Sequence, residues 1–187
     1  MATDRKIRAL LSPKMGQALK AATGALRKAK VEFALVGGLA LDYHADEPRF
    51  TGDLDFVVAA EDYERATTAV KRAGFAKAGC VDNMLAQLEN KDGVGVDLLF
   101  GLGDPEESAR ATARSGTMLG VRLPIARPEY LVWMYLLSDE RRHEEDAGRL
   151  IKQGIDLLKL ASYLKHTGSQ EELTKLVGMV ARIRGRR

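Results

Sequence analysis

Asp53 and Asp55 stand two residues apart in Gly52-Asp53-Leu54-Asp55-Phe56-Val57-Val58, a run that turns apolar directly after its acids. Side chains two apart on a strand project to the same side, about 7 Å from each other, so the two carboxylates face one way while Leu54 and Phe56 face the other. Like charges so placed repel, and a hard divalent cation taking oxygen ligands is a fitting counter-charge. Asp97 lies in a second apolar run, Val96-Asp97-Leu98-Leu99-Phe100. A carboxylate buried there needs a cation, a donor or a proton, and beside Asp53 and Asp55 it reads as a third metal ligand. Upstream, Val36-Gly37-Gly38-Leu39-Ala40 closes a short β-branched run. Two glycines let the backbone turn sharply and approach a ligand, and the N–H groups of the helix that follows offer partial positive charge to an anion. Together these residues suit a metal-bound triphosphate. Neither Gly-Lys-Thr nor Gly-x-Gly-x-x-Gly is present, so the P-loop and dinucleotide fingerprints are not met.

The elements that must position these residues follow from hydrophobic periodicity. After Ser12-Pro13, the recurrence of Met15, Leu19, Ala22, Ala25, Leu26 and Ala29 predicts an amphipathic helix. Val31 to Val36 reads as a strand, followed by a helix from about Leu39 to Tyr43, and Asp53 to Val58 as the second strand. Asp62 is placed to cap a helix through about Arg72, ended by Gly74. Met84 to Asn90 and Val94 to Phe100 form an antiparallel pair across Lys91-Asp92-Gly93. Pro105 opens a helix through about Ser115, and Met118 to Ile125 offers one more strand. Beyond Arg127-Pro128 the pattern is helical over Tyr130 to Leu137, Glu144 to Gln153, Ile155 to Lys165 and Gln170 to Arg184. The expected fold is α+β: a mixed sheet with flanking helices over residues 1–126, then a C-terminal helical lobe over 127–187. The boundary near Ala126 marks a change of layer more than a flexible hinge.

With 187 residues the chain can bury one good core, and 45% apolar with 29% charged residues fits a soluble globular protein. Its apolar runs are too short to span a bilayer, and its N-terminal stretch has no continuous apolar core, so the expectation is a cytoplasmic location without a membrane partner. Cys80, the sole cysteine, excludes an internal disulfide and a cysteine-rich zinc site, and reads as a buried strand-edge thiol. The net charge of +3 conceals an asymmetry. Residues 1–30 carry eight Lys or Arg against Asp4, and Arg182, Arg184, Arg186 and Arg187 crowd the C-terminus, leaving seventeen cations against twenty-five acids between Val31 and Ala181. An acidic body needs divalent cations to hold a triphosphate, whereas basic ends suit a polyanion such as RNA.

Strand, Gly-Gly, helix, the loop Arg49-Phe50-Thr51, an Asp-x-Asp strand and a distant strand Asp follow the order of nucleotidyltransferases with the DNA polymerase β fold. Leu35 to Val58 most resembles the small bacterial nucleotidyltransferases around the AbiEii toxin family, and the likeness runs over roughly Val31 to Asp146. The resemblance implies a polymerase-β-like core in which Asp53, Asp55 and Asp97 bind two Mg²⁺ ions, Mn²⁺ substituting, and serve as the catalytic acids. It places Gly37 and Gly38 on the triphosphate and has Arg49 and Thr51 border the nucleotide. Relatives commonly carry a lysine in the first helix of the C-terminal lobe, in a context like Leu131-Val132-Trp133-Met134-Tyr135-Leu136, where this chain has Tyr135. In the next helix they often show a basic residue and an Asp, which Arg142, His143 and Asp146 match; Arg141 or Arg142 is then a replacement for the lysine charge. His44 and His143 read equally as surface, capping or site residues, and Trp133 and Met134 as core.

The implied reaction moves a nucleoside monophosphate from a nucleoside triphosphate to a hydroxyl and releases pyrophosphate. For the acceptor, the resemblance points to the tRNA 3′ end, then to a protein Ser, Thr or Tyr, with small antibiotics behind, and it brings in an antitoxin protein as partner. The basic ends tilt this choice toward RNA. The alternative keeps the fold without the reaction: a nucleotide- or partner-binding module whose missing lysine marks reduced activity.

Overall fold

The helical spacing after Pro13 becomes α1 (Pro13–Lys28), with Met15, Leu19, Ala22 and Leu26 buried. The β-branched run that follows is β1 (Phe33–Val36), buried at all four positions, and it turns at once into α2 (Gly37–His44). After β2 (Asp53–Val58) a single 3₁₀ turn at Ala60–Asp62 leads to α3 (Tyr63–Arg72), then β3 (Phe75–Val81), β4 (Leu85–Asn90) and β5 (Gly95–Phe100). α4 (Asp104–Ala111), β6 (Arg114–Met118) and β7 (Val121–Ile125) precede four closing helices, α5 (Pro128–Leu136), α6 (Arg141–Lys152), α7 (Leu157–His166) and α8 (Gln170–Arg184). The structure is a computed structural model that describes residues 13–46, 51–81, 84–101 and 103–185, apart from the side chains of Lys77, Cys80 and Val81. Arg49, the basic residues before Pro13, the Cys80 thiol and the last two arginines therefore lie outside the described residues.

One mixed sheet carries the chain in the order β3-β4-β5-β2-β1-β7-β6. β1 runs antiparallel to β2 and parallel to β7, and β2 runs parallel to β5. Alternation along β2 sends Leu54, Phe56 and Val58 to one face of this sheet. Phe33 meets Phe56 edge-on at 5.6 Å, and Tyr63 meets Phe100 at 4.5 Å, which seats α3 on that face with α1 packed against it. Asp53, Asp55 and Val57 face the other way, toward the side covered by α2, α4 and α5, and α6 to α8 pack around α5. His44, at the end of α2, donates from Nε2 to the Ala126 carbonyl at 2.8 Å, tying that helix to the exit of β7. Among the described residues no helix is long and apolar enough to cross a membrane.

Several expectations are corrected. The sequence reading left out β3, which extends the sheet beyond β4. Met118 to Ile125 is not one strand but the last residue of β6, a turn and β7, because Leu119 and Gly120 both take positive φ, 50° and 79°, as a tight two-residue turn requires. β6 begins at Arg114, so α4 stops at Ala111 rather than Ser115. Asp62 sits at the start of α3 without capping it; its carboxylate pairs with Arg65 instead. The helix after β1 starts at Gly37, two residues earlier than expected.

Burial holds the His44 imidazole below its ordinary pKa of 6.5, against the Ala126 carbonyl and the Glu129 charge, which favour the protonated form. The unfolded chain therefore binds this proton more readily than the folded one. Stability from His44 is full above the ordinary imidazole range and is lost as pH falls below it, through the lowered folded value. Thermal unfolding followed from pH 7.5 to 5.5 is expected to show this decline, and His44→Gln, which keeps a donor but cannot titrate, is expected to flatten it.

Candidate active site

The pairing of β2 with β5 sets Asp55 directly opposite Asp97 and Asp53 opposite Gly95. Gln87 on β4 stands opposite Asp97, and Val36 on β1 opposite Asp55. Residues paired across strands share a face, so Val36, Asp55, Asp97 and Gln87 form one row over four strands, each about 4.8 Å from the next. Asp53 lies on the same face, two residues back along β2. All three acids predicted from the sequence are thus brought to one side of the sheet.

Two glycines make room for them. A Cβ at Gly95 would fall onto the Asp53 carboxylate, and a Cβ at Gly37 would fall inside the Asp55 carboxylate. Gly37 also holds φ at +62°, a conformation that side-chain-bearing residues rarely adopt. The first turn of α2 therefore begins against Asp55, and Val36, the residue before it, offers no side-chain cap. Gly38 follows, buried in that turn.

Asp53 is exposed, whereas Asp55 and Asp97 are half-buried. Burial raises the Asp97 carboxyl above its ordinary pKa of 3.8; donation from Gln87 Nε2 to Asp97 Oδ2 at 3.4 Å opposes the rise, and the charge of Asp53 adds to it. Among the described residues no group of three or more His, Cys, Asp or Glu forms a cage for a metal ion. Mg²⁺ asks for less, because it keeps several waters and binds through one or two carboxylates together with substrate phosphates. Asp55 and Asp97, facing each other across adjacent strands, supply that donor set, and a cation there would offset the charge that burial disfavours at Asp97.

The remaining candidates divide. Thr51 is buried, with its hydroxyl donating to the Asp53 carbonyl at 3.4 Å, so it steadies the chain entering β2. Arg142 is exposed and paired with Glu140 at 3.3 Å, and Arg141 with Glu145 at 3.3 Å; neither is brought to the acids by these contacts. Asp146 lies on the buried side of α6 with Ala147 and Leu150. Tyr135 does what the sequence did not reveal. Its hydroxyl donates to the Gly37 carbonyl at 3.0 Å, and its ring, 6% exposed, stacks on His143 at 5.2 Å. Tyr135 is a tether between α5 and the diglycine turn. Gln87 and Gly95 were also missed. Gly95 had a signal, since it precedes Asp97 by two residues and so shares its face; Gln87 depends on strand register.

A family profile described as "Nucleotidyl transferase AbiEii toxin, Type IV TA system" matches residues 22–115. No curated protein matches the chain. Solved structures do. The antibiotic-resistance factor ANT(2″)-Ia is 14% identical over 94% of this chain and 96% of its own, with a TM-score of 0.60. The lincosamide antibiotic adenylyltransferase LnuA, in its lincomycin-bound structure, is 13% identical over 72% of this chain and 94% of its own, with a TM-score of 0.55. An antigenic nucleotidyltransferase-like protein from Paracoccidioides brasiliensis is 18% identical over 92% of this chain and 90% of its own, with a TM-score of 0.57. Identities this low show a shared fold.

Gly37→Ala drives a β-carbon into the Asp55 carboxylate and an alanine into left-handed backbone, and is expected to cost about 1–3 kcal/mol in urea unfolding. Tyr135→Phe removes one hydrogen bond and is expected to cost about 1 kcal/mol. A Gly37→Ala protein as stable as the wild type would show that the turn is not fixed against Asp55.

Proposed function

Because the chain belongs to the AbiEii nucleotidyltransferase family, we propose that it transfers a nucleoside monophosphate from a nucleoside triphosphate to an acceptor hydroxyl, releasing pyrophosphate. The observation that carries this reading is the register of Asp55 with Asp97, with the Gly37 turn packed on Asp55. Nucleotidyltransferases of this fold generally use divalent metals, and here Asp53, Asp55 and Asp97 would hold two Mg²⁺ ions, or Mn²⁺ in their place. A bound divalent ion supplies charge neutralisation on the phosphates and a lowered pKa for the attacking hydroxyl. Asp97, at the end of the acid row farther from Gly37, accepts the hydroxyl proton. The N–H groups at Gly37 and Gly38 bind phosphate oxygens and orient the triphosphate for in-line attack. Tyr135 keeps that turn in place through the Gly37 carbonyl. Arg49, Thr51 and Asp146 border the nucleotide in this reading. Arg142 leaves its pair with Glu140 to do so.

The acceptor is assigned from charge, since the antibiotics named with two of the neighbours belong to proteins that share only the fold. An RNA, foremost the tRNA 3′ end, fits the basic ends of the chain better than a protein Ser, Thr or Tyr does. The family's place in toxin–antitoxin systems makes an antitoxin protein the expected partner. A second reading, a nucleotide- or partner-binding module without transfer, rests on Tyr135, whose hydroxyl is engaged with Gly37 where relatives present a lysine.

Incubation with each of the four labelled triphosphates, Mg²⁺ and total tRNA is expected to label RNA. Asp53→Ala and Asp55→Ala are expected to lower the rate on the order of 1,000-fold, the scale of losing one group that stabilises transition-state charge. Chelation of divalent ions should abolish it. Absence of label from every acceptor with all four nucleotides would leave the binding module as the function.

A further inference from the structure

The face of the sheet away from the acids carries a groove of about 750 Å³ between α1 and the β6–β7 hairpin. Lys20, Arg27 and Arg122 line it, and no acid is among the described residues that do. Gly16 and Gly24 on α1 and Gly120 in the hairpin turn leave its floor open. The two arginines are held in place. Arg27 donates to the carbonyl of Arg122, and Arg122 Nε donates to the Ser115 hydroxyl at 2.9 Å. None of the three forms an ion pair with an acid among the described residues. The comparable groove between α6 and α8, about 770 Å³, differs in carrying acids of its own: Glu144 and Glu145 line it beside Arg149 and Lys152, and pair with Arg182 and Arg141 at 2.5 and 3.3 Å.

We propose that the groove between α1 and the β6–β7 hairpin holds the sugar–phosphate backbone of an RNA, the same molecule whose hydroxyl receives the nucleotide; this rests on the transferase reading above. Unanswered Lys and Arg side chains with an amide, here Gln17, are the groups that contact phosphates and position a nucleic acid. A protein partner would instead seek aromatic or large apolar anchors, and among the described residues the groove offers no aromatic ring, only Pro13 and the partly covered Leu119 and Val121. The position of the groove sets the size of the molecule. β7 is two strands from β2, Val121 lies four residues before the Ile125 that pairs with Leu35, and the groove opens on the opposite face, so groove and acids are separated on the order of 20 Å. A mononucleotide or a dinucleotide does not bridge that distance, and the path round the β6 edge is longer than the straight line. A folded RNA bridges it, passing round that edge.

The test measures binding of labelled tRNA, and transfer to tRNA and to a short 3′-terminal oligonucleotide, in Lys20→Gln/Arg27→Gln/Arg122→Gln and in Lys20→Gln/Arg122→Gln, which leaves Arg27 intact. The triple variant is expected to bind tRNA on the order of 100-fold more weakly at 0.1 M salt, with a salt slope shallower by about 2–3, since three phosphate contacts are lost. Transfer to the short oligonucleotide should keep its kcat and KM. Unchanged tRNA affinity and salt slope in folded variants would overturn the proposal, as would equal losses on tRNA and oligonucleotide, or a wild-type protein that ignores tRNA and binds an acidic protein. Binding is also measured on Asp55→Ala without triphosphate. Tight, groove-dependent tRNA binding by that protein supports the groove whether or not the wild type transfers nucleotide, so failure of the chemistry and failure of the groove are told apart.

Discussion

Three carboxylates on one face of a sheet are an electrostatic burden, and the way strands and glycines arrange them shapes the rest of the molecule. In the parallel pairing of β2 with β5, Asp55 and Asp97 are direct neighbours and Asp53 faces Gly95. A slip of one residue in this register would send every one of these side chains to the opposite, apolar face. Leu54, Phe56 and Val58, each 0% exposed, prevent that slip, because they would lose their burial in the same movement. The apolar alternation of β2 is therefore what holds the acids where they repel. Gly95 and Gly37 then leave the volume that the Asp53 and Asp55 carboxylates fill, and the Gln87 amide supplies Asp97 with a donor.

The diglycine turn depends on this packing and on a second layer. α2 is only eight residues long and buried along most of its length, too short to be stable by itself. It is pinned at both ends by groups remote in sequence. The Gly37 carbonyl accepts from Tyr135 at its start, and His44 donates to the Ala126 carbonyl at its end. β7 and α5, which flank Ala126, thus decide how the turn sits against Asp55. A lysine at position 135 would bring charge to the turn but not an aromatic ring stacked on His143.

Much of this was legible in the sequence where local signals were strong. The two-residue spacing of Asp53 and Asp55, the Asp-Gly hairpin between β4 and β5, and the helical stripe of α1 all took the form expected. Signals failed where structure is set by neighbours. Phe75-Ala76-Lys77-Ala78-Gly79-Cys80-Val81 alternates weakly and becomes a strand because β4 offers it a partner. The β6–β7 turn has Leu119 in left-handed backbone, a residue that gives no turn signal, so β7 looked continuous back to Met118 while the start of β6 looked helical. Within the site, the face of each acid follows from a period of two, but the partner across the strand does not, and so Gln87 could not be foreseen. Arg142 shows the same limit, since its position in the chain fits the site while its side chain pairs with Glu140 on the surface. Arg49 lies outside the described residues.

The separation of charge over the molecule follows from the same constraint. A polyanion brought close to Asp53, Asp55 and Asp97 is repelled until divalent cations neutralise them, so affinity for such a substrate is poorly supplied by the site itself. Cations placed beside the acids would pair with them and weaken the hold on a metal. Cations placed behind the sheet escape this pairing, at a cost only in distance. Lys20, Arg27 and Arg122 meet that condition, separated from the acids by the apolar layer under α1 and α3. Binding energy gathered remotely can then be used to position a reacting hydroxyl without altering the electrostatics that the transfer step needs.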